Sequence, residues 1–230
     1  MSRKTLIIIP ALNESDSLPK IFEDLSILEE VEFLVVDDAS TDNSVALCRE
    51  RGVTVLPLRV RIGAWAATQA GMRYALRHGY DAVITMDGDG QHHSFDIPKF
   101  LETARQHPEI DVIIGECIAR GSRLRHIAWS FFRLITRISI DDLTSGFRMY
   151  NHKATTLLSS DKASLLDYQD VGVLLMLRAE GMKLMEIPVT TTPRIHGKSH
   201  LFSGWLKVVY YMIITTILAV SKLNLSGTRH

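Results

Sequence analysis

Cysteine is nearly absent from this 230-residue chain: Cys48 and Cys117 are the only two. Two thiols exclude a disulfide scaffold and a structural zinc site of four thiolates, and they suit a reducing cytoplasm. An excess of either charge is missing too. Lys+Arg and Asp+Glu each number 26, for a formal net charge of +0. Nonspecific binding to nucleic acid needs a large cationic excess, so no nucleic-acid partner is expected. Attraction to an anionic surface must then come from local clustering. No apolar run reaches the ~20 residues of a membrane-spanning helix. The run at residues 5–9 is too short for a secretory leader and meets Pro10 without a small-residue cleavage site. Glycine-rich phosphate loops are also lacking. The first apolar run is followed by Pro10-Ala11-Leu12-Asn13-Glu14, without dinucleotide-binding glycines. Gly197-Lys198-Ser199 has Thr192 where a phosphate loop requires its first glycine.

Against these absences stands an ordinary globular composition, 46% hydrophobic and 23% charged. The length suits one domain with an appendage. Apolar runs at residues 6–9, 33–36, 53–56, 82–86 and 112–114 predict strands. Being apolar throughout, they suit a parallel sheet buried on both faces. Between them, residues 15–28, 42–51, 64–76 and 97–106 carry helical spacing with Gly52, Gly79 and Pro108 as stops. Alternation of this kind implies a doubly wound α/β fold, whose ligands bind at the carboxyl ends of the strands. Those ends carry Asn13-Glu14, Asp37-Asp38 and Asp87-Gly88-Asp89.

The second half is built differently. Between residues 120 and 137 lie Arg120, Arg123, Arg125, Arg133 and Arg137, no acid, and interleaved Trp129, Phe131 and Phe132. This is an amphipathic helix with either a solvated basic face or a face for anionic lipid. Residues 208–221 hold no charge and are apolar almost all round, which suits a buried helix, a dimer seam or an interfacial segment.

Two carboxylates one residue apart at the end of a buried strand are costly unless a cation sits between them. Gly88 lets Asp87 and Asp89 face one ion, and Gln91 adds a neutral oxygen. Mg²⁺ and Mn²⁺ favour such oxygen ligands and share them with substrate phosphates, so the set suits a diphosphate leaving group. A calcium loop is a poorer fit, because the third acidic ligand and the distant Glu are missing. His92 and His93 are adjacent and so point apart; neither is expected to share a metal.

Pro10-Ala11-Leu12-Asn13-Glu14, Val35-Val36-Asp37-Asp38 and Met86-Asp87-Gly88-Asp89-Gly90-Gln91-His92 together resemble the family 2 glycosyltransferases of GT-A fold. Asp142-Leu143-Thr144-Ser145-Gly146-Phe147-Arg148, Glu186-Ile187-Pro188-Val189 and Arg194-Ile195-His196-Gly197-Lys198-Ser199 resemble the branch of dolichol-phosphate mannosyltransferase and its bacterial polyprenyl-phosphate relatives. The resemblance implies a mostly parallel sheet flanked by helices over residues 1–203, with an apolar, interfacial or dimerising helix and tail over 204–230. It implies that Pro10, Leu12, Glu14, Val36 and Asp38 line the nucleoside pocket, and that Asp87, Asp89 and Gln91 hold Mg²⁺ or Mn²⁺. Gly88 would lie against the donor, and Arg148 and Arg194 would meet phosphate, since guanidinium stays charged and binds phosphate oxygens through two donors. His200 stands where the family often has Lys, and Lys198 substitutes. Gly115-Glu116-Cys117 replaces the usual Gly-Ser-Arg, with Arg123 displaced downstream.

The implied activity is inverting transfer of a sugar from a nucleotide-diphosphate donor to a polyprenyl phosphate, at the cytoplasmic face of a membrane, by a monomer or homodimer. Two alternatives stay open. A sugar hydroxyl as acceptor would require a carboxylate base, Asp142 first and Asp141 next. A non-catalytic nucleotide-binding scaffold is the other, because fold alone does not prove activity.

Overall fold

The computed structural model describes residues 4–116, 140, 142, 145–165 and 171–190. The first apolar run becomes β1 (Thr5–Ala11). Its side chains alternate between two cores: Leu6 and Ile8 enter one, Ile7 and Ile9 the other. That is the period-two consequence of an extended backbone covered on both faces. Burying each such side chain contributes about 1.5–3 kcal/mol.

The other expected strands follow as β2 (Val31–Asp37), β3 (Thr54–Pro57), β4 (Ala82–Thr85) and β5 (Val112–Glu116). The expected helices are α1 (Leu18–Ser26), α2 (Ser44–Glu50), α3 (Ala64–Arg77) and α4 (Ile97–Gln106). Two helices start later than expected, for one reason: polar cap residues precede them. Ser17 and Leu18 donate their N–H groups to the Glu14 carbonyl, each at 3.0 Å, before α1 begins. Asp42 accepts from the Ser44 N–H at 2.9 Å ahead of α2.

Four elements were not anticipated: β6 (Arg148–Asn151), α5 (His152–Leu158), α6 (Val171–Ala179) and β7 (Leu184–Pro188). The sheet order is β3-β2-β1-β4-β6-β5-β7. Strand β6 is antiparallel to β4 and β5, and every other pairing is parallel. Its sequence, Arg-Met-Tyr-Asn, has no apolar run to announce a central strand.

Helix α3 crosses one face and is pinned to the end of α5 and the chain after it. Trp65 Nε1 donates to the Ala163 carbonyl at 3.0 Å, and Gln69 Nε2 to the Leu158 carbonyl at 2.7 Å. Helix α4 covers the other face through Ile97, Phe100, Leu101 and Ala104. The basic segment 120–137 and the apolar segment 208–221 lie outside the described residues. Among the described residues, no helix is long and apolar enough to cross a membrane.

Candidate active site

Because β1, β2, β3 and β4 run parallel, their carboxyl ends share one edge of the sheet. The turns after β1 and β2 are knitted together there by polar side chains. Asn13 has a φ of 57°, a left-handed conformation that Asn tolerates better than most residues. Its N–H donates to Ser40 Oγ at 2.8 Å, and its Oδ1 accepts from the Thr41 N–H at 2.8 Å. The Glu14 N–H donates to Ser44 Oγ at 3.0 Å, and the Ser15 N–H to Asp42 at 3.1 Å. Burial works against a charged Asp42, but the hydrogen bonds from Ser44 and Ser15 outweigh it and hold its carboxyl below the usual range.

Asp38 is buried and fastens the chain ahead of α3. One carboxylate oxygen accepts from the Ile62 N–H at 2.7 Å, the other from the Gly63 N–H at 2.9 Å. Gly63 has a φ of 91°, which a side chain would disfavour, so this link depends on glycine. Pro10, Leu12 and Glu14 are partly exposed along the same edge. Ser17 Oγ donates to Glu14 Oε2 at 3.1 Å, holding that carboxylate at the head of α1. Val36 is placed differently from these three. It is 0% exposed in the core beneath α3 and offers no side-chain surface to a ligand.

The tip beyond β4 is organised by close packing. A Cβ on Gly88 would lie 3.1 Å from the Pro10 carbonyl oxygen, so glycine lets this turn press against β1. A Cβ on Gly146 would lie 2.8 Å from Asp87 Oδ2, so a second glycine lets the chain entering β6 run alongside the Asp87 carboxylate. Thr85 Oγ1 donates to the Gly146 carbonyl at 2.7 Å and fixes that approach. His92 is buried, with Nε2 at 3.4 Å from Asp87 Oδ2. Its ring lies 4.9 Å from Phe147, which in turn lies 4.6 Å from Phe100. His93 turns away and stacks on Phe95 at 4.8 Å. The Asp87 side chain is 46% exposed, whereas Asp89 is 5% exposed and accepts from the Gln91 N–H at 3.1 Å.

Arg148 is 0% exposed. The register pairs it with Thr85 on β4 and Ile114 on β5, one strand position below the tip. Asp142 is 2% exposed, and its N–H donates to Glu186 Oε1 on β7 at 2.9 Å. Arg194, Lys198, His200, Arg123 and Asp141 lie outside the described residues. Burial, with the Asp37 charge adding to it, raises the Cys48 thiol to about 11, which keeps it protonated and unreactive at neutral pH.

Sequence reasoning missed three positions. Gly146 and Phe147 were noted only as part of a motif. Asp96 was not singled out, yet it is 0% exposed, pairs with Lys99, and accepts from the Thr190 N–H at 2.8 Å. It thereby positions the chain that leads into the segment carrying Arg194 and Lys198. Its only signal was an acid just before the Pro98 helix start.

Among the described residues, no group of three or more His, Cys, Asp or Glu side chains forms a metal site. Two carboxylates and an amide oxygen nonetheless fit Mg²⁺ or Mn²⁺, which bind through one or two carboxylates with phosphate and water completing the shell. The Asp87 side chain is 46% exposed, so its carboxylate is accessible to such an ion.

Residues 6–160 match the family model described as glycosyl transferase family 2. The undecaprenyl-phosphate mannosyltransferase of Micrococcus luteus is 29% identical over 218 residues, covering 87% of this chain and 88% of that one. The polyprenol monophosphomannose synthase of Mycolicibacterium smegmatis is 29% identical over 231 residues, covering 92% and 86%. The crystal structure of glucosyl-3-phosphoglycerate synthase from Mycobacterium tuberculosis, in complex with Mn²⁺ and uridine-diphosphate-glucose, superposes with a TM-score of 0.71. That protein is 18% identical, with 94% of this chain and 78% of that one covered, and the likeness shows that the fold is GT-A.

Proposed function

From the membership of this chain in glycosyl transferase family 2, which makes it a glycosyltransferase, we propose that it moves a sugar from a nucleotide-diphosphate donor to a polyprenyl phosphate, with inversion and with Mg²⁺ or Mn²⁺. The acceptor class is that named for the Micrococcus and Mycolicibacterium relatives. The observation that carries the reading is the pair Asp87 and Asp89 at the β4 tip, one carboxylate half-exposed and the other buried.

In this reading Pro10, Leu12, Glu14 and Asp38 frame the nucleoside, Asp38 through the loop it anchors. Asp87, Asp89 and Gln91 hold the cation, and Gly88 lies against the donor diphosphate. A divalent cation held there supplies fixed positive charge to the departing diphosphate. Arg148 adds charge from beneath, and Arg194 and Lys198 act on phosphate from the later segment. An acceptor phosphate oxygen attacks the anomeric carbon, the bond from that carbon to the donor diphosphate breaks, and the nucleoside diphosphate leaves. A phosphate monoester has its second pKa near ~6, so the nucleophile is already ionised and needs no strong base. Catalysis is then positioning and electrostatics. The burial of Asp142 favours this acceptor over a hydroxyl, which would need an accessible base.

We also keep the boundary near residue 203, with residues 204–230 as an interfacial or dimerising segment and the enzyme peripheral at the inner face of the membrane. The test is incubation of the pure chain with Mn²⁺, a panel of nucleotide sugars and a polyprenyl phosphate in detergent. Glycolipid formed with one donor is the expected result; none with any donor ends the proposal. Asp142→Asn separates the acceptors: a phosphate acceptor predicts only weakened transfer, and a hydroxyl acceptor predicts near-complete loss.

A further inference from the structure

We propose that His92 is a positioning residue of the cation site: its Nε2 donates to Asp87 and fixes the direction in which that carboxylate is offered. The inference rests on the reading that Asp87 holds a divalent cation. The His92 side chain is 1% exposed, and Nε2 lies 3.4 Å from Asp87 Oδ2. Nδ1 is buried as well and finds no hydrogen-bond partner among the described residues. Of the two ring nitrogens only Nε2 faces an acceptor, so Nε2 carries a proton and donates the hydrogen bond. A bare Nε2 would turn its lone pair toward a carboxylate oxygen. The ring itself sits among aromatic side chains, 4.9 Å from Phe147, which lies 4.6 Å from Phe100. Packing alone would be served better there by phenylalanine, because a buried nitrogen without a partner costs free energy. What histidine adds at this place is the N–H aimed at Asp87.

The need for such a hold follows from exposure. The Asp87 side chain is half-exposed, and a carboxylate in that position gives up rotamer freedom when it takes a ligand. Here it is confined before any ligand arrives. A Cβ on Gly146 would meet Asp87 Oδ2 at 2.8 Å and Oδ1 at 2.9 Å, so the chain entering β6 closes one side of the carboxylate. His92 closes another and adds a directed bond. Its own backing is fixed by the fold: Phe147 immediately precedes β6, Phe100 belongs to α4, and both lie in the core that α4 covers. Asp89 is held differently, by burial and by the Gln91 N–H at 3.1 Å. Groups that orient a metal ligand from behind contribute 10–100-fold to metal affinity.

The experiment titrates Mn²⁺ alone into the full chain, follows the free ion by electron paramagnetic resonance, and measures thermal unfolding beside it. The unaltered chain is compared with His92→Phe, His92→Gln, His92→Asn and Asp87→Asn. Glutamine can place an amide N–H near the position of Nε2, whereas asparagine is shorter and places it near Nδ1, away from Asp87. His92→Phe should keep the melting temperature and weaken Mn²⁺ binding by about tenfold. His92→Gln loses the ring contact with Phe147, so its melting temperature should fall, yet it should regain part of the Mn²⁺ affinity. His92→Asn should lose both. The melting temperature then follows the ring and the affinity follows the N–H, a crossed order that a merely structural histidine does not produce. The proposal is overturned if His92→Phe binds Mn²⁺ like the unaltered chain, or if affinity falls in step with melting temperature across the series. Mn²⁺ binding that survives Asp87→Asn would overturn the cation reading and this inference with it. A flat His92 series beside Asp87-dependent binding overturns this inference alone.

Discussion

The two corners of the carboxyl edge are held by different forces. At β1 and β2, Asn13, Ser40, Thr41, Asp42 and Ser44 form a lattice in which side chains receive backbone N–H groups one by one. At β4 and β6, glycines let the chain press close, and the rings of His92, Phe147 and Phe100 pack at tilted angles beside Asp87. A lattice of hydrogen bonds shares its load, so each bond removed costs about 0.5–1.5 kcal/mol. A packed corner has no such slack, because a single added methyl displaces the carboxylate itself. The first arrangement suits a scaffold for a nucleoside; the second suits a geometry that chemistry depends on.

The sharpest way to break this contrast is Asp89→Asn. It should lower kcat by roughly 10²–10³-fold, the scale of losing a preorganised charge interaction, while leaving metal-free nucleotide affinity unchanged in calorimetry. An unchanged rate would show that the packed corner is not the reactive one. Next comes Gly146→Ala, whose Cβ would meet Asp87 Oδ2 at 2.8 Å. Overpacking of this kind costs about 1–3 kcal/mol, and the melting temperature and Mn²⁺ affinity should fall together. His92→Phe keeps a ring against Phe147 but removes Nε2. Groups that orient ligands contribute 10–100-fold to metal affinity, so Mn²⁺ binding followed by electron paramagnetic resonance should weaken by about tenfold, with His92→Gln partly restoring it.

The polar corner should respond more mildly. Asn13→Ala removes the two hydrogen bonds that its Oδ1 accepts from the Thr41 N–H and Oγ1 and places Ala at a positive φ, for a loss of about 1–2 kcal/mol in denaturant unfolding. The smallest effect is on pH dependence. The Asp42 carboxyl lies below its ordinary value when folded, so its contribution is present above the unfolded carboxyl value near ~4 and is lost as pH falls through the lower folded value. Asp42→Asn should flatten that acid limb of the stability curve slightly. A steeper limb in the variant would show that the lattice does not hold the charged form.

Legibility followed the strength of local signals. The strands β1 to β5 were readable because both faces are covered, so each is an apolar run with clear stops. Strand β6 was not, because its central place is decided by pairing with β4 and β5 rather than by its own composition. Asp87, Asp89 and Asp38 were readable because carboxylates at strand ends demand partners. The partner that Asp38 found, the backbone of Ile62 and Gly63, was invisible, as two N–H groups leave no mark in a sequence. That the Val36 side chain is fully buried was not readable, because a motif position does not reveal which face of a strand a side chain occupies.

Local chemistry along the chain was enough to determine the α/β alternation, the acidic strand ends and the family, since periodicity, turn residues and charge are properties of neighbours. Tertiary structure alone decided that β6 reverses direction, that Arg148 is buried beside Thr85 within the sheet, and that Gly146 lies against Asp87. Each of these joins residues about 60 positions apart or depends on what covers a side chain, as the separation of 61 between Thr85 and Gly146 illustrates. Such contacts form only when the whole sheet closes, because the entropy of bringing distant segments together is offset by the two shared cores and not by any segment on its own.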